Sequence, residues 1–453
     1  MKSYFLTTLL ILVSSSIAAD HYQQSYGFGT FTKGGLEGEI IHVTTLANNG
    51  PGSLRHALAH SGPRLIVFDV GGVIDLQQEN IEIRSPFCTI AGQTAPAPGI
   101  TLIRGGLRVT THDVVVQHLA VRPGDAGKAP KSGWAPDAIT LRKTGDEPVY
   151  NVVFDHCSAT WAVDENVSIA SGDPVTSEHP HAAVHDVTFF KCLIAEGLSH
   201  ATHRKGEHSR GSLISHNTYN LSIIECVYAH NVLRNPRCTG NTRMVMGNSI
   251  IYNWGVAHHG GGWDISYAVH LGDRFGEMDP AVLTAVGNVC IKGPNSTGDV
   301  FIASHKTRPG KAYVVDNIAI DIYGTPLRIL DDPIMELETP QVWPSGYTAQ
   351  DARTAAPEVL RTVGARPAQR DTIDSRIIHS IIHGTGQIID SQDEVGGYPD
   401  YERTTRHHHH IPESAEDRHY WLLAMSQKLQ IDEALDTSPL ANRLDQSESR
   451  FSP

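Results

Sequence analysis

Short apolar runs recur along the chain, rich in β-branched residues and each closing on an amide, imidazole or thiol side chain. They read "CTIAGQ", "DVVVQH", "NVVFDHC", "DVTFFKC", "LSIIEC", "RMVMGN", "LTAVGN" and "AYVVDN", ending at Gln93, His118, Cys157, Cys192, Cys226, Asn248, Asn288 and Asn317. Runs this short and continuous predict strands buried on both faces, as in parallel sheets. The intervals between run ends are 25, 39, 35, 34, 22, 40 and 29 residues, a mean of 32. An open sheet or sandwich gives no reason for one local pattern to return at this interval. A coil does: in a parallel β-helix each turn stacks on the last at about 4.8 Å, so like residues meet while the connecting loops vary in length.

Stacking of this kind predicts an amide ladder through Asn248, Asn288 and Asn317, each side chain donating to the next and satisfying its own buried polarity. Cys157, Cys192 and Cys226 fall in the same column. Parallel Cβ atoms one rung apart are slightly too distant for relaxed disulfide geometry, so the thiols read as a reduced apolar stack, with a disulfide as the alternative.

From about residue 345 the pattern changes. "TAQDARTAAPEVLRTVG" predicts a short helix with Thr348 as N-cap and Asp351 in the first turn, and "EDRHYWLLAMSQKLQ" predicts another. The run His407 to His410 reads as a solvated loop, with weak metal binding as the alternative. The domain reading is a leader over 1–19, the coil over 20–400 with a partly helical segment near 345–380, and a tail over 401–453.

The opening "MKSYFLTTLLILVSSSIAAD" has the form of a Sec signal peptide: Lys2, then an apolar stretch from Phe5 to Val13, then small residues to Ala18 or Ala19. It is too short to span a membrane, and no later stretch approaches the roughly 20 apolar residues a span needs. The expectation is an exported protein without a membrane anchor, secreted to the extracellular or periplasmic space. Lys+Arg number 36 against 49 Asp+Glu, a formal net charge of −13, which argues against a nucleic-acid partner.

Local charge runs the other way. Asp137 in "APDAITL" precedes the Cys157 rung, Asp164 and Glu165 in "TWAVDENVSIA" follow it, and the basic group His203, Arg204, Lys205, His208 and Arg210 comes next, with Arg234 and Arg237 one turn later. On a coil these become neighbours. Carboxylates from adjacent turns suit Ca²⁺, which takes about 6–8 oxygen ligands in a flexible shell. The alternative is structural, with Asp137 capping a turn and Asp164 paired to an arginine. Arginine is the natural fork for a carboxylate, so the basic group suggests an anionic substrate. Pro236 restricts the backbone that presents Arg234.

At this point a resemblance emerges. "FDHCSATWAVDENVSI" resembles the "DHxSxSWxxDExxSI" stretch of secreted pectate lyases, particularly the bacterial and fungal branch labelled pectate lyase C, and "RNPR" with "NSIIYNWG" resembles that branch's "RNPK…NNVVYNWG". Further pieces are "GFGTFTKGG", "HVTTLANNGPGSLRHAL", "IAGQTAPAPGITL", "VRPGD", "DAITL" and "GTGQIIDSQDEVGGYP". The match runs from about residue 26 to 320, with more near 384–399.

The resemblance implies an all-β, right-handed single-stranded parallel β-helix with short helical C-terminal decorations, cleaving polygalacturonate by Ca²⁺-assisted β-elimination. It implies Asp137 and Asp164 as calcium ligands, Arg234 as the base and Arg210 as substrate-binding, and Lys205 and Arg237 are read with Arg210. A further calcium aspartate of better-studied members falls on Ser168 here, and their second arginine falls on Thr239. Ser168 is carried as the third metal position. A hydrolase, a lyase of alginate or rhamnogalacturonan, and a non-catalytic β-helical glycan binder are the competing readings. A monomer is expected.

Overall fold

The computed structural model describes residues 26–145, 147–170, 183–259, 263–272 and 279–451; the leader expected over 1–19 lies outside them. The strands form three long sheets in which successive turns of the chain lie side by side. The first sheet collects the apolar runs in order, from Cys88–Ala91 through Val114–Gln117, Val149–Asp155, Val184–Phe190, Thr218–Ile224, Arg243–Gly247 and Val282–Val286 to Lys311–Val315. A second sheet contains Leu107–Val109, Ile139–Arg142, Glu165–Ala170, Arg210–Ile214, Arg237–Cys238 and Val269–Leu271. A third contains Leu119–Arg122, Ser158–Thr160, Leu193–Ala195, Val227–Ala229, Ile250–Tyr252 and Val289–Lys292. Apart from a short tail strand on the third sheet, their pairings are parallel. The chain is a parallel β-helix.

Stacking is visible inside and outside the coil. Phe154 pairs with Phe189 one turn on, their inward rings stacked at 4.9 Å. On the outer surface Tyr150 and His185 stack at 5.1 Å. The buried Val, Ile and Phe positions of the three sheets make one continuous core. Helix α1 (Leu54–Leu58), capped by Ser53, buries Leu54 and Leu58 in that core near its N-terminal end.

The corner between the first and third sheets bears out the column at Cys157, Cys192, Cys226, Asn288 and Asn317 and corrects the sequence reading by one residue at Asn248. His118, His156, Lys191, Glu225, Asn248, Gly287 and Asp316 all have positive φ and turn the chain. The next residue, at Cys157, Cys192, Cys226, Ser249, Asn288 and Asn317, forms the inward column, buried at each of these rungs except the half-buried Asn317. Asn248 therefore stands outside the ladder, bonded to Gly287, Gln350 and Tyr347. Ser249 takes its place: its backbone N–H donates to Asn288 Oδ1 at 2.9 Å, and Asn288 Nδ2 donates to Asn317 Oδ1 at 2.9 Å. The thiols are free and buried.

Helices α2 (Ala352–Thr362), α3 (Thr372–His383), α4 (Ala415–Gln427) and α5 (Ser438–Phe451) follow the coil. Asp351, rather than Thr348, caps α2, because its carboxylate reaches the backbone N–H of Thr354. Val359 and Leu360 of α2, Ile377 and Ile381 of α3 and Leu444 of α5 cover Leu193, Val227 and Ile250 of the third sheet. Arg122, fully buried, anchors α3 through Asp371 and Asp374 at 2.7 and 2.8 Å. Helices α2, α3 and α5 thus occupy the third face, while Leu422 of α4 packs on Leu65, Val67 and Ala91 of the first sheet. The second stays uncovered by them.

Candidate functional site on the second sheet

Positions just before three second-sheet strands gather at one edge. Asp137 sits two residues before Ile139–Arg142, Asp164 immediately before Glu165–Ala170, and Arg234 three residues before Arg237–Cys238. One oxygen each from Asp137, Asp164 and Glu165 lie within 4.8 Å of one another. Arg234 Nη1 is paired with Glu165 Oε1. The coil brings the acids and the arginine together, as the ladder required.

Asp137 is held from both sides: Oδ1 accepts from the Glu165 backbone N–H at 3.0 Å, and Oδ2 from the Thr140 hydroxyl at 2.9 Å. Ser168 adds a side-chain hydrogen bond to the same carboxyl. Burial, then the charge of Asp164, push its pKa up to about 7 despite these donors. At Asp164 burial again pushes upward and is the largest single influence, but the hydrogen bond from His208 and the positive charge of His208, His203 and Arg234 together outweigh it, so that carboxyl lies below its usual range. His208 Nε2 is 2.6 Å from Asp164 Oδ1, and the His203 ring stacks on His208 at 4.0 Å. Burial lowers His208 to about 4, so at neutral pH an uncharged ring N–H faces Asp164.

Arg234 has φ of 66°, in the left-handed region, and its side chain is 18 % exposed. The following residue explains how that conformation is held. Asn235 is buried and its side-chain oxygen accepts from Asn231, whose own oxygen accepts from Asn166 at 2.9 Å. This amide chain ties the "RNPR" turn to the "DEN" turn through the interior. Burial, then the like charge of Arg237, lower Arg234 to about 10 against the pull of Tyr267, Asp164 and Asp137.

The other expected residues have different settings. Arg237 is half-buried and pairs in register with His270 on the next turn. Arg210 starts its strand opposite Glu165, but its guanidinium turns back onto the His208 and Ser209 carbonyls, leaving the residue 6 % exposed. Lys205 is exposed in the loop between strands. Thr239, in place of the arginine of the family pattern, bonds the Ile214 carbonyl.

Sequence reasoning named two further participants, Glu165 and His208, without finding their roles. Glu165 was named only beside Asp164 in the acidic cluster; because Asp164 lies before the strand begins, strand alternation does not separate the two carboxylates and both reach one site. His208 was grouped with the cations, whereas burial leaves it neutral. The density of His in "HRKGEHSRG" was the available signal.

No family model matches the chain. Curated relatives do. The chain is 30% identical over 406 residues to a probable pectate lyase C of Emericella nidulans, covering 87% of this chain and 84% of that protein. It is 30% identical over 403 residues to the probable pectate lyase C of Aspergillus terreus, covering 86% and 84%. Among solved structures, the major allergen from cedar pollen shares the fold with a TM-score of 0.51 at 16% identity, over 73% of this chain and 90% of that one. A coil with its acids and arginine at one edge, and relatives matched over most of their length, lead to one assignment: the chain belongs to the pectate lyase family and is a polysaccharide lyase.

Proposed function

We propose that the protein is exported and cleaves polygalacturonate by Ca²⁺-assisted β-elimination, with Arg234 as the base. The observation that carries this reading is the meeting of Asp137, Asp164 and Arg234 at one edge of the second sheet. The donor set fits a hard cation: clustered carboxylate oxygens from two turns, one carboxyl raised to about 7 by burial and by its acidic neighbour. Asp137 and Asp164 would hold Ca²⁺, with the Ser168 hydroxyl orienting Asp137. Bound there, the ion would supply positive charge to a uronate carboxylate as negative charge develops on it.

In a uronate the C5 proton is next to the carboxylate, and the leaving glycosidic oxygen is at C4. Arg234 takes the C5 proton; the C5–H electron pair forms the C4–C5 double bond as the C4–O bond breaks. No water nucleophile enters. Free arginine is protonated below about pH 12; burial and Arg237 bring Arg234 to about 10, within reach of alkaline solution. Glu165 opposes this by pairing with the protonated form. Arg237, Arg210 and Lys205 would add positive charge around an acidic chain, Arg210 through its field rather than by contact. A monomer suffices for this chemistry.

The test is purified protein on polygalacturonate, alginate and rhamnogalacturonan, with Ca²⁺ and with EDTA, followed by the ultraviolet absorbance of the unsaturated product. Absorbance should rise on polygalacturonate with Ca²⁺ and stop with EDTA. A rise on alginate alone would reassign the sugar, and activity unaffected by EDTA would remove calcium.

A further inference from the structure

Far from this site in sequence, the histidine run carries more than a loop. The tail returns to the third sheet, where Thr404–Thr405 pairs antiparallel with Val70 and Gly71. The Thr404 hydroxyl donates to the Ala97 carbonyl at 2.6 Å, and the Arg406 backbone N–H donates to the Asp69 carbonyl at 2.9 Å. That register delivers the histidines to a corner of the coil's early turns. His409 is taken up by the protein itself, its Nε2–H donating to the Thr94 carbonyl at 2.9 Å and its ring lying edge-on to Trp421. His408 points elsewhere. Its Nδ1 is 2.5 Å from Asp69 Oδ2, and His42 Nδ1 is 2.9 Å from the same oxygen. The two Nδ1 atoms are 3.2 Å apart.

Two imidazole nitrogens converging on one carboxylate oxygen are a poor proton arrangement, since two N–H groups would be crowded against each other. They are a good metal arrangement. Ligands about 2.05 Å from a tetrahedral Zn²⁺ lie about 3.3 Å from each other, close to the observed nitrogen separation. Asp69 Oδ2, at 2.9 and 2.5 Å from the two nitrogens, needs to draw back by about 0.4 to 0.8 Å to reach that separation. Its residue is 5 % exposed, and its other oxygen, Oδ1, is buried with no hydrogen-bond partner. An ion on Oδ2 would neutralise the charge of this buried carboxylate. Nitrogen donors with a single carboxylate select a transition ion and not Ca²⁺.

We propose that His42, Asp69 and His408 form a zinc-class site that staples the C-terminal tail to the early turns of the coil, with a fourth position open to water. The site is separate from the second-sheet cluster and does not depend on the proposed reaction. His408, with a side chain 70 % exposed on a loop, is removable without disturbing the core.

The experiment uses the full mature chain without an added histidine tag, in Ca²⁺-containing buffer, titrated with ZnCl₂. Bound zinc after dialysis, thermal melting and the visible spectrum with Co²⁺ are the readouts. Wild type should retain one more equivalent of zinc than His408→Ala, melt higher with zinc because the ion binds the folded state, and give a tetrahedral Co²⁺ spectrum. His408→Ala and His42→Ala should each weaken binding at least tenfold. The combined His407→Ala, His409→Ala and His410→Ala variant should retain the site. Wild-type zinc binding in His408→Ala, or its loss only in the combined variant, would overturn the proposal. So would the absence of any zinc-dependent melting shift.

Discussion

Two columns of the same coil show opposite ways of using a position that repeats every turn. At the corner between the first and third sheets, the buried groups of the inward column find partners of matching kind. Cys192 and Cys226 approach carbonyls of their own and the preceding turn, the Ser249 hydroxyl reaches Ile223 and Gly247, and the Asn288 amide reaches Met246. Thiol, hydroxyl and amide do one job, donating a proton to a corner carbonyl. At the edge of the second sheet, like charges are crowded instead: Asp137 beside Asp164, and Arg234 beside Arg237. A column of complementary groups holds the coil together. Crowded like charges, although Arg234 is also paired with Glu165, are what the proposed cation and acidic substrate would neutralise.

The comparison breaks most sharply at Arg234. Arg234→Lys keeps the charge but moves the base, and kcat should fall about 10²–10⁴-fold, the usual contribution of a positioned general base, with melting unchanged. In the wild-type enzyme the base form of Arg234 grows tenfold per pH unit below its pKa. The rate should therefore climb through the neutral range and level near pH 10; a maximum near pH 5 would remove Arg234 as base. Asp137→Ala should raise the Ca²⁺ concentration needed for half-maximal rate by about 10–100-fold or more, since losing even an outer partner of a metal ligand costs that much; a calcium titration reads it.

The corner column should respond in stability and not in turnover. Asn288→Leu leaves the Ser249 N–H and the Met246 carbonyl without their partner, at about 1–3 kcal/mol for each buried group, measured by denaturant unfolding. The smallest effect belongs to Cys192→Ser, about 1 kcal/mol or less, because Ser249 already shows a hydroxyl serving in that column. A Cys192→Ser enzyme with lost activity but native stability would mean that the two columns are not independent.

The recurrence of β-branched runs made the coil legible, because strands that stack in register must repeat their pattern. It could not distinguish the left-handed corner residue from the one after it, since both are polar at Asn248 and Ser249, so that one rung was placed a residue early while Asn288 and Asn317 were placed correctly. Asp137, Asp164 and Arg234 were legible by turn, but how they are held was not. The Asn166, Asn231 and Asn235 chain spans intervals of 65 and 4 residues, which no single period reveals. Protonation was equally hidden: His208 looks cationic in sequence and is made neutral by burial. The tail was least legible, because His408 meets His42 across 366 residues.

The most direct test is a crystal structure of the R234K enzyme with Ca²⁺ and a galacturonate oligomer. The expected result is one uronate with C5 facing residue 234 and its carboxylate toward a cation held by Asp137 and Asp164. An oligomer seated on another face of the coil, or a cation bound away from both aspartates, would contradict the account.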